Sequence, residues 1–401
     1  MDNKYDRIEE DELLEAPLAA GQPAPEETPA KKKAAKIVTV ILLILLFLAA
    51  TAGAFLLGLS GLVRLPGKKP AAPAATETSA PAPTEAPTEA PTEPPDEDVD
   101  DSLIQKLSSV LIVDDAAYEY YSFSQTTANR YVSAVSRAAD SLSGTARVFD
   151  IIVPTSMDIT LSDPVRQRLS GLTGDQKKAI ETIYAAMSSN CVTVNAFDSL
   201  RAHRKEYVYF RTDHHWTALG AYYAYREYAA AAGIRAAELE EFTERRFDNF
   251  IGAFYTDSGK RKALTKNPDV VYAYEPKSTN EMEYTNKNGQ KIKWNIVTDV
   301  SKWARSSLYN TFIGGDNPYC HISNPAVADG SSCVVVKESF GNAFVPFLVA
   351  NYSEIHVIDY RYWKGNLTSF VKANDIQDVI YLNNVSATRN APLVKHLDSI
   401  S

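Results

Sequence analysis

Residues 331–350 read SSCVVVKESFGNAFVPFLVA. The run 333–336 is short, apolar and β-branched with no alternation, which is the pattern of a strand covered on both faces. A polar turn, Lys337-Glu338-Ser339-Phe340-Gly341-Asn342, follows it, and residues 343–350 then have helical apolar spacing. Strand, turn and helix in this order make one unit of a parallel sheet with helices on its faces. The unit repeats downstream as a strand at 355–358, a helix at 367–374 and a strand at 379–382. Upstream, RVFDIIV at 147–153 reads as a buried strand, 176–187 as a helix, 191–194 as a strand, and 216–232 as a helix closed by Gly233. The expected fold class is therefore α/β, a three-layer parallel sheet with helices on both faces, spanning residues 102–401. Between 242 and 324 the alternation fails. This stretch is expected to be an insertion over one sheet edge, either a lid or substrate platform or a structural excursion, with a hairpin at 284–296 around Asn288-Gly289.

Three segments of different composition precede the domain. Residues 1–36, acidic and rich in alanine and proline, are expected to form a disordered cytoplasmic tail. Residues 37–63 are apolar and carry no charge. At about 1.5 Å per residue they suffice for a hydrocarbon core of about 30 Å, so a transmembrane helix is expected. Lys31, Lys32, Lys33 and Lys36 before it outnumber Arg64, Lys68 and Lys69 after it, which favours a cytoplasmic N-terminus and an extracellular domain. A cleaved signal peptide fits less well, since the run is long and starts late. Residues 64–101, where A-P-T-E recurs, read as a Pro/Thr/Glu-rich extracytoplasmic stalk extending roughly 3 Å per residue. The expectation is a bacterial single-pass protein of the cell membrane, with the bilayer as one partner.

The chain has 401 residues and a formal charge of -9, but residues 102–401 hold 32 acids and 32 bases. Such a domain lacks the basic excess of a nucleic-acid binder. Cys191, Cys320 and Cys333 are too few for a disulfide framework, and Cys333, inside an apolar run, is expected to be a core thiol.

Two clusters carry candidate chemistry. Arg211-Thr212-Asp213-His214-His215-Trp216-Thr217 lies where the chain enters the 216–232 helix. Buried His and Asp need partners for their polar atoms, so packing alone rarely places them together. An Asp two residues before a His reaches its Nδ1 and leaves Nε2 free as a base. Helix capping by Asp213 is the plainer alternative. Ser339 follows the 333–336 strand and precedes a helix, where backbone N–H groups stabilise a nucleophile and an oxyanion; it reads equally well as a helix cap. Ends of parallel strands gather along one edge, and the polar residues expected there are Ser156, Asp198, Ser339, Arg361 and Asn383. Arg361, Asn383, Gly341 and Asn342 are candidates for holding an oxyanion or substrate. No metal or other cofactor is expected, since His321 and His356 stand isolated. Tyr222, Tyr223, Tyr225 and Tyr228 have the spacing of core aromatics more than of a sugar platform.

Together D-H-H-W at 213–216 and the strand followed by E-S-F-G-N-A at 338–343 resemble the DHHW protein family, related to the alginate O-acetylation proteins of the SGNH-hydrolase superfamily. The resemblance runs from about Leu111 to the C-terminus and implies an SGNH-hydrolase-like, flavodoxin-like fold. The family's Asp-x-His-Trp pattern implies Asp213 as orienter and His215 as base, with His214 and Trp216 as supports behind them. Its serine motif, Gly-Asp-Ser or Lys-Asp-Ser, is here Lys337-Glu338-Ser339, one methylene longer beside the implied nucleophile. The implied activity is O-acetylation of a cell-wall or extracellular polysaccharide by a Ser-His-Asp triad. A polytopic membrane-bound O-acyltransferase would act as acyl donor. The alternatives are a polysaccharide O-acetylesterase and a non-catalytic wall-glycan binder on a degenerate hydrolase fold.

Overall fold

The computed structural model describes residues 98–401. The tail, the apolar run 37–63 and nearly all of the stalk lie outside the described residues. Among the described residues no helix is long and apolar enough to cross a membrane. None of these helices answers to the expected transmembrane helix, whose residues 37–63 are outside the described ones. The readings built on it find no support among the described residues either: membrane anchoring, the bilayer and a polytopic membrane protein as partners, and a single-pass topology with a cytoplasmic N-terminus.

β1 (Ile104–Lys106), β2 (Val110–Val113) and β3 (Ala116–Glu119) make a small antiparallel sheet, joined to the rest where the Ala117 N–H donates to the Arg211 carbonyl. The main sheet begins with β4 (Arg147–Val153) and β5 (Cys191–Val194). β6 (Phe242–Phe250) and β7 (Asp269–Pro276) form a separate antiparallel ribbon. β8 (Glu281–Thr285), β9 (Lys291–Asn295), β10 (Tyr319–Ser323), β11 (Ser332–Lys337), β12 (Glu354–Asp359) and β13 (Asp378–Asn384) complete the main sheet, whose order is β5-β4-β13-β11-β12-β10-β8-β9.

Five of these strands, β5 through β12 in sheet order, are parallel, as the apolar runs foretell. Every residue of β11 and β13 is buried, so helices must cover both faces. The helices concerned are α1 (Gln125–Leu142), α2 (Gln176–Ala185), α3 (Ala196–Ala202), α4 (Ala218–Ala232), α5 (Gly341–Leu348), α6 (Leu367–Ala373) and α7 (Ala391–Ile400). α2, α6 and α7 pack on α1, and α3 and α5 pack on α4, one helical layer for each face. Tyr222, Tyr223, Tyr225 and Tyr228 of α4 are buried in the core, and the three cysteines are buried free thiols.

The expectation of a wholly parallel sheet is corrected. β10 pairs antiparallel with β12, β8 with β10 and β9 with β8, so the sheet is mixed. β8 and β9 form the expected hairpin, with Gly289 at φ +77° in its turn. β10 alternates buried and partly exposed residues, which marks a strand with one open face; this weaker pattern hid the extension of the sheet. Much of 242–324 is thereby built into the sheet and against the site described next.

Candidate active site

β11 ends at Lys337, and the chain turns through Glu338, Ser339 and Phe340 into α5. The turn is held from within: the Gly341 N–H donates to the Glu338 carbonyl at 3.0 Å and the Asn342 N–H to the Ser339 carbonyl at 3.1 Å. It is held from outside by the Glu338 carboxylate, which accepts from the Asn384 N–H at 2.9 Å and the Phe340 N–H at 3.2 Å. Ser339 is left half-buried at the C-terminal edge of the sheet.

The second cluster meets it there. Thr217, not Asp213, caps α4, with its side chain accepting from the Gly220 N–H, so the capping alternative for Asp213 fails. Asp213 turns instead to His215: Oδ1 lies 2.6 Å from Nδ1 and also accepts the His215 backbone N–H at 3.0 Å, while Oδ2 accepts from the Ala253 N–H at 2.9 Å. Nε2 of His215 lies 2.7 Å from Ser339 Oγ. A Cβ on Gly252 would come within 2.2 Å of Asp213 Cβ, so only glycine permits this approach.

Electrostatics orders the protons. Burial pushes Asp213 up, but the two histidines and its hydrogen bonds outweigh that and hold it well below the usual carboxylate range. Burial, with His214 alongside, pushes His215 down to about 4. At neutral pH an ionised carboxylate therefore faces a neutral imidazole. A carboxylate only accepts, so Nδ1 carries the hydrogen and the Nε2 lone pair faces the serine hydroxyl. Glu338 Oε2 competes for that hydroxyl at 3.2 Å, and the shorter contact at 2.7 Å favours His215. Burial works against protonation of His214 as well, yet Asp213, Glu119, Glu338 and Asp257 around it raise its pKa.

Trp216 supports the turn directly, its indole N–H donating to the Phe340 carbonyl at 2.9 Å. His214 packs on His215 with ring centroids 4.0 Å apart. Asp213, His214 and His215 are also close enough together to be a candidate cation cluster, but both ring nitrogens of His215 are taken up by hydrogen bonds.

Other expected residues are placed differently. Arg361 is near but engaged: its guanidinium binds Asp359 through Nε at 2.9 Å and Nη2 at 2.7 Å, and Asp316 at 2.8 Å. Lys337, with no exposed side-chain surface, joins the same network at 3.1 Å from Asp359 and 3.3 Å from Asp316. The Asn342 amide donates to Asp316 at 2.9 Å. Two cations facing two carboxylates keep this buried cluster neutral as a whole. Gly341 makes room for it, since a Cβ there would meet Lys337 Cβ at 2.5 Å. Asn383 points elsewhere: its fully buried amide donates at 3.3 Å to Tyr131, whose hydroxyl binds Asp150, so the oxyanion role expected for it is not supported by its contacts. Asp198 pairs with Lys177, and Ser156 is buried with its hydroxyl unpartnered.

Sequence reasoning missed Tyr309, Asp316, Gly252 and Ala253, all within 242–324. Tyr309 stacks on the His215 ring with centroids 4.0 Å apart and planes 13° apart. Nothing local in a tyrosine-rich stretch marks one ring as a partner of a distant histidine. Cavities of about 230 and 290 Å³ lie elsewhere, one lined by Lys177, Tyr184 and Phe197 and the other by His203, Tyr223 and Arg226. Neither of these two cavities includes Ser339.

The comparisons with known proteins bear on the fold and the family. The DHHW protein family profile matches residues 97–358, well over half of the chain. No curated protein matches it. Among solved structures, a DHHW family protein from Eubacterium siraeum DSM 15702 is 27% identical, with 73% of this chain and 96% of that one covered and a TM-score of 0.67. Bacillus cereus PatB1, solved with a sulfonyl adduct, is 15% identical, with 71% of this chain and 97% of that one covered and a TM-score of 0.58; at that identity the likeness shows a shared fold. Its structure without the adduct is 16% identical, with 72% and 98% covered and a TM-score of 0.57. The match over residues 97–358 decides the family: this chain belongs to the DHHW protein family.

Proposed function

We propose that the chain is a serine-dependent acyl-transfer enzyme acting on polysaccharide hydroxyls, with Ser339 as nucleophile, His215 as base and Asp213 as its orienting carboxylate. The observation that carries this reading is the unbroken series from Asp213 Oδ1 to Nδ1 of His215 at 2.6 Å and from Nε2 to Ser339 Oγ at 2.7 Å. Ser339 Oγ attacks the acyl carbonyl carbon as Nε2 takes its proton, and Asp213 stabilises the imidazolium. The tetrahedral intermediate collapses when His215 returns that proton to the leaving oxygen. His215 then deprotonates a second hydroxyl, which attacks the acyl-serine, and returns that proton to Ser339 Oγ as the acyl–oxygen bond breaks. A sugar hydroxyl in that step makes an O-acetyltransferase, the reading favoured by the family resemblance, and water makes an esterase.

The test is covalent labelling of the full chain, read by intact mass. PatB1 has been solved with a sulfonyl adduct, and a sulfonyl fluoride is the corresponding reagent to use here. Wild type is expected to gain one adduct, Ser339→Ala none, and His215→Ala to react at least about a hundredfold more slowly. A non-catalytic glycan binder would not label, and equal labelling of wild type and Ser339→Ala would refute the assignment. With a small activated acetyl ester and an oligosaccharide, a transferase yields acetylated sugar, whereas an esterase yields acetate alone.

A further inference from the structure

We propose that Tyr309 is a positioning residue that keeps the base and the nucleophile in register, an inference that rests on the acyl-serine reading above. His215 and Ser339 arrive on different elements, the histidine ahead of α4 and the serine after β11. Their 2.7 Å contact exists only while the imidazole keeps its plane. Rotation about the bond joining an imidazole to its Cβ is soft, so geometry alone does not keep it there. Asp213 holds the ring at Nδ1 only, and a ring held at one edge can still swing.

Tyr309 supplies what that hydrogen bond lacks. Its ring lies nearly flat on the imidazole, 4.0 Å between centroids and 13° between planes, while Phe340 crowds the same imidazole at 5.0 Å. Its hydroxyl donates to the Ser339 carbonyl at 3.1 Å. One side chain therefore touches the base through its face and the nucleophile's turn through its hydroxyl. Tyr309 is itself braced, with Phe312 at 5.2 Å and 68° and Phe210 at 6.1 Å and 87°, both edge-on. It belongs to the 3-10 turn Arg305–Thr311, within the stretch that interrupts the sheet alternation. That stretch thus acts on the chemistry as a fixed wall behind the base. Holding catalytic groups by locked neighbours in this way sets how often they meet in reactive geometry.

The experiment measures sulfonyl fluoride labelling of the full-length chain at saturating reagent for wild type, Tyr309→Phe and Tyr309→Leu. The labelled fraction counts folded sites and the first-order rate reports their geometry, so misfolding and misalignment are separated. The Phe variant keeps the ring and loses one hydrogen bond, so its rate is expected to fall roughly two- to tenfold. The Leu variant loses the flat face as well and is expected to fall further, with half-saturating reagent concentration unchanged in both. A Leu variant reacting at the wild-type rate would overturn the proposal. Should the Leu variant not fold, the Phe variant decides: the wild-type rate overturns the link through the hydroxyl, and a slower rate with a full labelled fraction supports it. Failure of the wild type itself to label at Ser339 would instead remove the acyl-serine reading, and this inference with it.

Discussion

At His215 the charge state is set by surroundings that no linear reading contains. Its pKa is pushed down to about 4 by burial and by His214, whereas an unfolded histidine titrates near 6.5. The unfolded chain therefore binds the extra proton first. This contribution to stability is complete above about pH 6.5 and is lost as pH falls through 6.5 towards 4. The labelling rate of Ser339 should accordingly stay level from neutral pH downward and drop only around pH 4. His214→Gln removes the neighbouring positive charge and should move that midpoint up; an unmoved midpoint would show that burial alone sets it. Gly252→Ala is the steric counterpart. The added methyl must displace Asp213, which should cost about 1–3 kcal/mol in urea unfolding and slow labelling. The choice of Asp213 and His215 over His214 was implied by the resemblance to the family's Asp-x-His-Trp pattern. The need for glycine at 252 was not, because residues remote in sequence create it.

At the scale of elements, the end of β11 depends on the buried set Lys337, Asp316, Asp359 and Arg361. Asp316 illustrates the balance: burial raises its pKa, yet Arg361 and Lys337 prevail and keep it ionised well below the usual carboxylate range. Asp359→Asn would leave two buried cations with one carboxylate, and urea denaturation should record a loss of about 3–5 kcal/mol. A loss under about 1 kcal/mol would mean that water already reaches the cluster. Apolar strands such as β4, β11 and β13 could be read residue by residue because burial on both faces leaves a continuous signal. Arg361 illustrates the opposite case. Its position after β12 was inferable, but its commitment to Asp316 was not, because β12 and the loop before β10 approach each other only in the folded sheet.

Across the described molecule, stability should grade outward from the parallel strands. In hydrogen exchange, amides of β4, β11 and β13 should be the slowest, and those of the edge strand β9, whose residues are all at least partly exposed, among the fastest. Uniform protection across the sheet would contradict this gradient. The same gradient separates two kinds of knowledge about the chain. Local patterns sufficed for an α/β domain from about residue 102, its parallel centre, the D-H-H-W and E-S-F-G-N-A clusters and their pairing by resemblance, because apolar periodicity and turn chemistry act within a few residues. The mixed extension of the sheet, the neutral cluster at Lys337, the aromatic wall at Tyr309 and the lowered pKa of His215 came only with the fold. Each depends on distances and burial between residues far apart in the chain, and those are set by packing.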